Sequence, residues 1–135
     1  ISRIPWRSIP RVSEHARLEE LKQVYTGSGK GCVQVVDDEG LMVGIVTFGD
    51  LQQWLLDPAL DHVVVAAEVA NRNVLVVAES DSLLDAIHIL DRAEFEQMPV
   101  VADDNTRKVL GMLSRIAIFS TYHKLIVKHG EGDHG

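Results

Sequence analysis

The sequence predicts a mixed α/β fold, of the α+β kind, in which two βαββα repeats pack about a pseudo-two-fold axis. Three observations predict it. The chain aligns with itself: Val12-Ser-Glu-His-Ala-Arg-Leu18 falls on Val77-Ala-Glu-Ser-Asp-Ser-Leu83, and Val35-Val36 falls on Val100-Val101 without a gap. Gly44-Ile-Val-Thr47 then answers Gly111-Met-Leu-Ser114, with two extra residues in the second copy. Self-similarity at a fixed period marks a repeated supersecondary unit. In each copy, strand-sized apolar runs alternate with a helical apolar period. The apolar residues are mostly Val, Ile, Leu and Ala, with only 5% aromatics, which suits an aliphatic interior between helices and sheets.

In the first copy, Ile9 to Val12 reads as a short strand, and Ser13 is a plausible N-cap for the helix that follows. Leu18, Leu21, Val24 and Tyr25 recur at helical spacing. Val33 to Val36 is a strand, Asp37-Asp-Glu-Gly40 a turn, and Leu41 to Val46 the next strand. Thr47 opens a helix holding Leu51, Trp54 and Leu55, which Asp57-Pro58 ends. In the second copy, Val74 to Val77 is a strand, and Ser80 to Leu90 an amphipathic helix with Leu83, Ile87 and Leu90 on one face. Met98 to Val101 and Val109 to Leu113 are strands, joined by Ala102-Asp-Asp-Asn-Thr-Arg-Lys108 as a longer polar loop. Ser114 to about Leu125 is the closing helix. These elements place repeat 1 at residues 1–60, repeat 2 at 61–126 and a frayed tail at 127–135. One copy alone leaves a sheet face uncovered, so the copies are expected to pack on each other.

Composition narrows the function. The 135 residues carry 13 Lys plus Arg against 20 Asp plus Glu, a net charge of -7, and no basic stripe. That argues against a nucleic-acid or anionic-membrane surface. Cys32 is the single cysteine, which excludes an intramolecular disulfide and fits a reducing setting. Apolar runs are strand-sized, so no membrane span is expected within the chain. It begins at Ile1 without a signal-peptide pattern, and is read as part of something longer.

Two blocks carry a family resemblance. Val35-Val-Asp-Asp-Glu-Gly-Leu-Met-Val-Gly-Ile-Val-Thr-Phe-Gly-Asp-Leu51 is one; Met98-Pro-Val-Val101 with Val109-Leu-Gly-Met-Leu-Ser114 is the other. The chain resembles a tandem pair of cystathionine-β-synthase (CBS) domains, a Bateman module, over nearly its whole length. A narrower likeness is to the cytosolic C-terminal CBS pair of ClC-type chloride channels and transporters. It rests on the long second hairpin Asp103-Asp-Asn-Thr-Arg-Lys-Val-Leu-Gly111, on Ser114-Arg115 and on Tyr122-His-Lys124. The resemblance implies a non-catalytic regulatory module on the cytoplasmic face of a membrane protein. It also implies self-association into a homodimer and coupling to a parent membrane domain.

The resemblance further implies an adenosine ligand, AMP, ADP, ATP or another adenosine compound, with no obligatory cofactor. Asp50 would accept from the two ribose hydroxyls, and Thr47 would meet phosphate at a helix start. Ile45, Val74, Phe95, Glu96 and Pro99 would complete the site. Spacing alone reads differently: Thr47-x-x-Asp50 is also a capping box. Both readings stand at this point. Relatives that hold phosphates often carry bases beside Glu96-Gln97, whereas here stand an acid and an amide. Arg7, Arg72 or Lys108 could compensate. A second, weaker cleft would use Ile9, Lys30 and Ser114, but Ala117 stands where its ribose carboxylate belongs. The rival function is a ligand-free structural or dimerisation module.

Other patterns have plainer readings. Gly27-Ser-Gly-Lys-Gly31 fails the phosphate-loop pattern twice, with Val24 and Gly31 at required positions, and reads as a connection. His123, His129 and His134 lack metal spacing and read as solvated tail residues. His15 and His88 sit on predicted helices and read as surface or partly buried residues. Asp37-Asp-Glu39 and Asp103-Asp104 are turn acids. Trp6 and Trp54 read as core or interface aromatics. No nucleophile elbow or Cys/His nucleophile pattern is present, so no enzyme is expected.

Overall fold

The computed structural model describes residues 4, 6–92 and 96–134. The chain divides into two compact units. One is contiguous, Ser8–Val74; the other joins Leu75–Gly135 to the N-terminal Ile1–Arg7.

The contiguous unit is a three-stranded sheet ordered β1-β2-β3, covered by helix. β1 (Arg11–Ser13) runs parallel to β2 (Cys32–Val36), which pairs antiparallel with β3 (Met42–Thr47). β1 starts later than Ile9, because Pro10 has no N–H to donate; its carbonyl instead accepts from the Gln34 amide at 2.9 Å. α1 (Leu18–Ser28) drops Leu18 and Leu21 onto Val33, Val35 and Val46, all with no exposed surface. Ser13 does not cap α1. Its hydroxyl accepts from the His15 amide at 3.1 Å and shapes the turn after β1, while the Leu18 amide is satisfied by the Val64 carbonyl at 2.8 Å.

Beyond β3 the expected single helix is broken into shorter pieces. α2 (Phe48–Leu51) lasts one turn and tightens into a 3₁₀ turn at Gln52–Trp54. Asp57-Pro58 starts structure as well as ending it. The Asp57 carboxylate accepts from the Ala59 amide at 3.1 Å and caps a second 3₁₀ turn, Pro58–His62, and α3 (Ala66–Val69) follows. Residues 61–74, read from sequence as the head of the second repeat, pack in this unit. Val64, Ala66 and Val69 enter its core. Lys22 and Asp61, 2.5 Å apart and each about one-fifth exposed, tie the second 3₁₀ turn to α1.

The second unit repeats the plan, ordered β4-β5-β6. β4 is only Val77–Ala78, shorter than the expected Val74 to Val77, and lies parallel to β5 (Gln97–Ala102). α4 (Leu83–Arg92) starts later than the expected Ser80 and is capped by Ser82: the Ser82 hydroxyl accepts from the Asp85 amide at 3.1 Å, and the Asp85 carboxylate accepts from the Ser82 amide at 3.0 Å. Ser80 donates its amide and hydroxyl to Asp103 at 3.1 and 2.7 Å. The Leu90 side chain lies outside the described residues. β6 spans Asn105–Ser114, so the expected long loop is instead a tight turn at Asp103-Asp104 with Ala102 facing Asn105. The extra residues are absorbed by two register shifts, after Val100 and after Val101. α5 (Arg115–His134) continues as helix through the tail that was expected to fray. Ile4, Val77, Ala86, Met98, Val100, Leu113 and Ile118 form the core.

The repeat register holds strand by strand. Val12 pairs with Val35 and Val35 with Gly44; Val77 pairs with Val100 and Val100 with Gly111. The two glycines share one physical reason. Each lies under a strand-like segment that bridges the next residue of the sheet. Asn71 exchanges backbone bonds with Ile45 at 2.9 and 3.0 Å, and Arg7 with Met112 at 2.9 and 2.7 Å. A Cβ on Gly44 would stand 2.6 Å from the Asn71 carbonyl oxygen, and one on Gly111 would stand 2.2 Å from Trp6 Cδ1.

Candidate functional site at the start of α2

The end of β3 delivers Thr47 in extended conformation, φ −115° and ψ 177°, and the chain turns into α2. Asp50 then reaches back. Its Oδ2 accepts from the Thr47 amide at 2.8 Å and from the Thr47 hydroxyl at 3.0 Å, forming a capping box. Among the described residues Oδ1 accepts no hydrogen bond. Asp50 is half-buried, while Thr47, Phe48 and Gly49 around it are exposed. The site thus presents one free carboxylate oxygen, held in place by its partner oxygen. It does not present a strong helix dipole, because α2 is only four residues long and a macrodipole sums over aligned peptides. The Thr47 hydroxyl hydrogen is already committed to Asp50.

In the same unit, Ile45 is buried and bridges Asn71, three residues before the half-buried Val74. Lys30 donates Nζ to the Ser8 carbonyl at 2.8 Å and to its hydroxyl at 3.2 Å, next to half-buried Ile9. In the other unit, Glu96 is exposed, and its carbonyl accepts from the Arg115 amide at 2.8 Å. Pro99 is buried within β5, facing Met112. Ser114 caps α5 by accepting from the Ala117 amide at 3.0 Å. Phe95 lies outside the described residues. Of the three cations that could offset Glu96, Arg7 shares its unit, donating to the Gln97 side-chain oxygen at 3.1 Å. Arg72 donates to the Ala67 carbonyl at 3.3 Å in the contiguous unit, and Lys108 is exposed on β6.

The histidines have ordinary neighbours. His15 lies 3.6 Å from Glu14 and 3.8 Å from Asp38, and His62 lies 3.3 Å from Glu19. His123 stacks on Phe119 with centroids 6.3 Å apart, and His88 is exposed. The side chains of His129 and His134 lie outside the described residues. Among the described residues, no group of three His, Cys, Asp or Glu is placed to hold a metal ion. No helix there is long and apolar enough to cross a membrane. Sequence reasoning missed the two glycine-bridged segments and the Trp54 indole N–H, which is buried without a partner among the described residues. Gly44 and Gly111 falling in one repeat register was the available clue to the first.

The CBS domain model matches residues 1–57 and again residues 65–124. The chain belongs to the CBS domain family. Its two matches make it a CBS pair, in agreement with the duplicated βαββα plan. The CBS pair is 30% identical over 105 residues to a homoserine O-acetyltransferase of Methanocorpusculum labreanum, covering 78% of this chain and 20% of that protein. It is 23% identical over 139 aligned residues to chloride channel protein CLC-f of Arabidopsis thaliana, covering 89% of this chain and 18% of that one. The chain therefore spans about one-fifth of the curated relatives it matches. Among solved structures, the CBS pair resembles CBSX2, crystallised with AMP, with a TM-score of 0.70 and 22% identity over 89% of this chain and 93% of that one. CBS pairs are in general regulatory, non-catalytic modules.

Proposed function

We propose that this CBS pair is a sensor of an adenosine-containing ligand, and that binding modulates the activity of a larger protein. The observation that carries the reading is the free Oδ1 of Asp50, buttressed by Oδ2 on Thr47. A fixed, half-exposed carboxylate suits two neighbouring ribose hydroxyls, since it can accept from both. Ile45, Val74, Phe95, Glu96 and Pro99 complete the proposed contact set. Ile9, Lys30 and Ser114 form a weaker second set, because Ala117 supplies no carboxylate. AMP, bound by the structural relative CBSX2, is the leading candidate; ADP, ATP and other adenosine compounds are the alternatives. The proposed parent is a ClC-type voltage-gated chloride channel or transporter, supported by the CLC-f similarity, with the module on its cytoplasmic face. A ligand shifts such a module only by its differential affinity for two states. The decisive experiment is calorimetric titration of the chain with AMP, ADP and ATP; absence of heat at millimolar nucleotide ends the reading for this class.

A second reading has its own support. Phe48 and Leu56 are 55% and 92% exposed near α2, and Ile116, Phe119 and Ile126 of α5 are 73%, 68% and 50% exposed. Apolar faces of this kind mark association surfaces. On that reading the chain is a ligand-free dimerisation module, and its homodimer pairs identical faces. Light scattering at high micromolar concentration decides this point, a strictly monomeric mass counting against it.

A further inference from the structure

The second unit contains a segment that reaches it from elsewhere in the chain. Ile4, Trp6 and Arg7 belong with Leu75–Gly135, whereas Ser8 begins the other unit. Ile4 is 2% exposed and joins the core with Val77, Met98 and Leu113. Trp6 packs against Gly111 so closely that any Cβ there would collide with its ring, at 2.2 Å. Arg7 exchanges both backbone bonds with Met112, and its guanidinium donates to Gln97 at 3.1 Å. An apolar anchor, an aromatic cradle and main-chain bonds to a sheet edge are the ingredients by which folded proteins hold extended peptides.

Two features make the segment separable. It lies at the open edge of the β4-β5-β6 sheet, so its departure breaks no bond between those strands. Among the described residues its ladder contact is the single pair Arg7 and Met112. The contiguous unit fills its equivalent edge with Asn71 on Ile45, drawn from within its own Ser8–Val74 stretch. In the second unit the equivalent bridge to Met112 comes from Arg7, distant in sequence from Leu75–Gly135. Edge strands that come and go this way are the usual currency of exchange between identical chains.

We propose that Ile4, Trp6 and Arg7 form a releasable strap, and that the groove it vacates on β6, at Gly111 and Met112, accepts the same residues from a second copy of this chain. Exchange preserves every contact of the strap and changes only which chain provides it. Native-state hydrogen exchange on the full chain tests the release. The Arg7 and Met112 amides, bonded to each other, should exchange together and at least about tenfold faster than the β5–β6 ladder amides. Equal protection of both sets, meaning that the strap opens only when the unit unfolds, overturns the proposal. A labelled peptide of residues 1–7 tests acceptance. It should bind the full chain carrying Trp6→Ala, whose own strap is loosened, at least about tenfold more tightly than wild type. Adding Gly111→Val should abolish that binding. A Trp6→Ala chain that keeps the wild-type circular dichroism but shows no saturable binding refutes the idea. One that no longer folds refutes it too, since a strap that can leave cannot be indispensable.

Discussion

Replacing Asp50 separates capping from recognition. Asp50→Ala removes both hydrogen bonds to Thr47, at 2.8 and 3.0 Å, and with them the capping box. Loss of a helix cap costs about 1 kcal/mol, which for a chain of this size lowers the melting temperature by roughly 4 °C. Asp50→Asn keeps a side-chain oxygen for the Thr47 amide, so it should cost less than Asp50→Ala, but it removes the charge. Hydrogen bonds to a charged group contribute about 1.5–3 kcal/mol each, so a ribose resting on Oδ1 should lose at least roughly tenfold in affinity in both variants. Calorimetric titration with AMP, run beside thermal melts of all three proteins, reads the two effects independently. If Asp50→Asn binds AMP as tightly as wild type, the carboxylate charge recognises nothing and the residue is a cap alone.

Gly44→Ala forces a methyl to within 2.6 Å of the Asn71 carbonyl, so it should destabilise the chain by roughly 1–3 kcal/mol in urea melts. Lys22→Met strands the Asp61 carboxylate at about one-fifth exposure; a loss of about 1–2 kcal/mol, largely recovered by adding Asp61→Leu, is expected from double-mutant melts. Asp85 titrates below its usual value of 3.8, chiefly through the Ser82 amide bond. Its folded form therefore binds fewer protons than the unfolded chain, and the stability it adds is present above about pH 4 and lost on acidification through its lowered pKa. Asp85→Asn should flatten that acid limb in melts between about pH 2 and 5. Ala117→Asp should add a second, weaker AMP site, seen as a stoichiometry above one by calorimetry.

The fold was legible because the repeat wrote each strand of the sheet twice. Val12, Val35 and Gly44 could be set on Val77, Val100 and Gly111 before any coordinates, and the sheet pairs them that way. What escaped were elements too short to show a period: the 3₁₀ turn at Pro58–His62 and the single turn of α3 are held by tertiary contacts such as Lys22 with Asp61. The helix starts went astray for a related reason. Ser13 has the chemistry of a cap, but backbone turns delay both helices, from Ser13 to Leu18 and from Ser80 to Leu83. At the candidate site the Thr47 and Asp50 spacing foretold the capping geometry, since three residues of helix dictate it. Sequence had no means of showing which carboxylate oxygen stays free, nor that Arg7 rests on Gln97.

The interrupted make-up of the second unit also sets an order of events on the ribosome. Ser8–Val74 leaves the exit tunnel as one stretch and has all of its sheet partners to hand. Ile4, Trp6 and Arg7 are made before that stretch, yet their partners on β6 follow roughly a hundred residues later, a wait of about 5–20 s at ordinary rates of synthesis. Throughout that interval Ile4 and Trp6 lack the Leu113 and Gly111 neighbours they pack against in the finished unit. On a polysome, where nascent copies of the same chain follow one another, the earliest finished β6 within reach belongs to a neighbour.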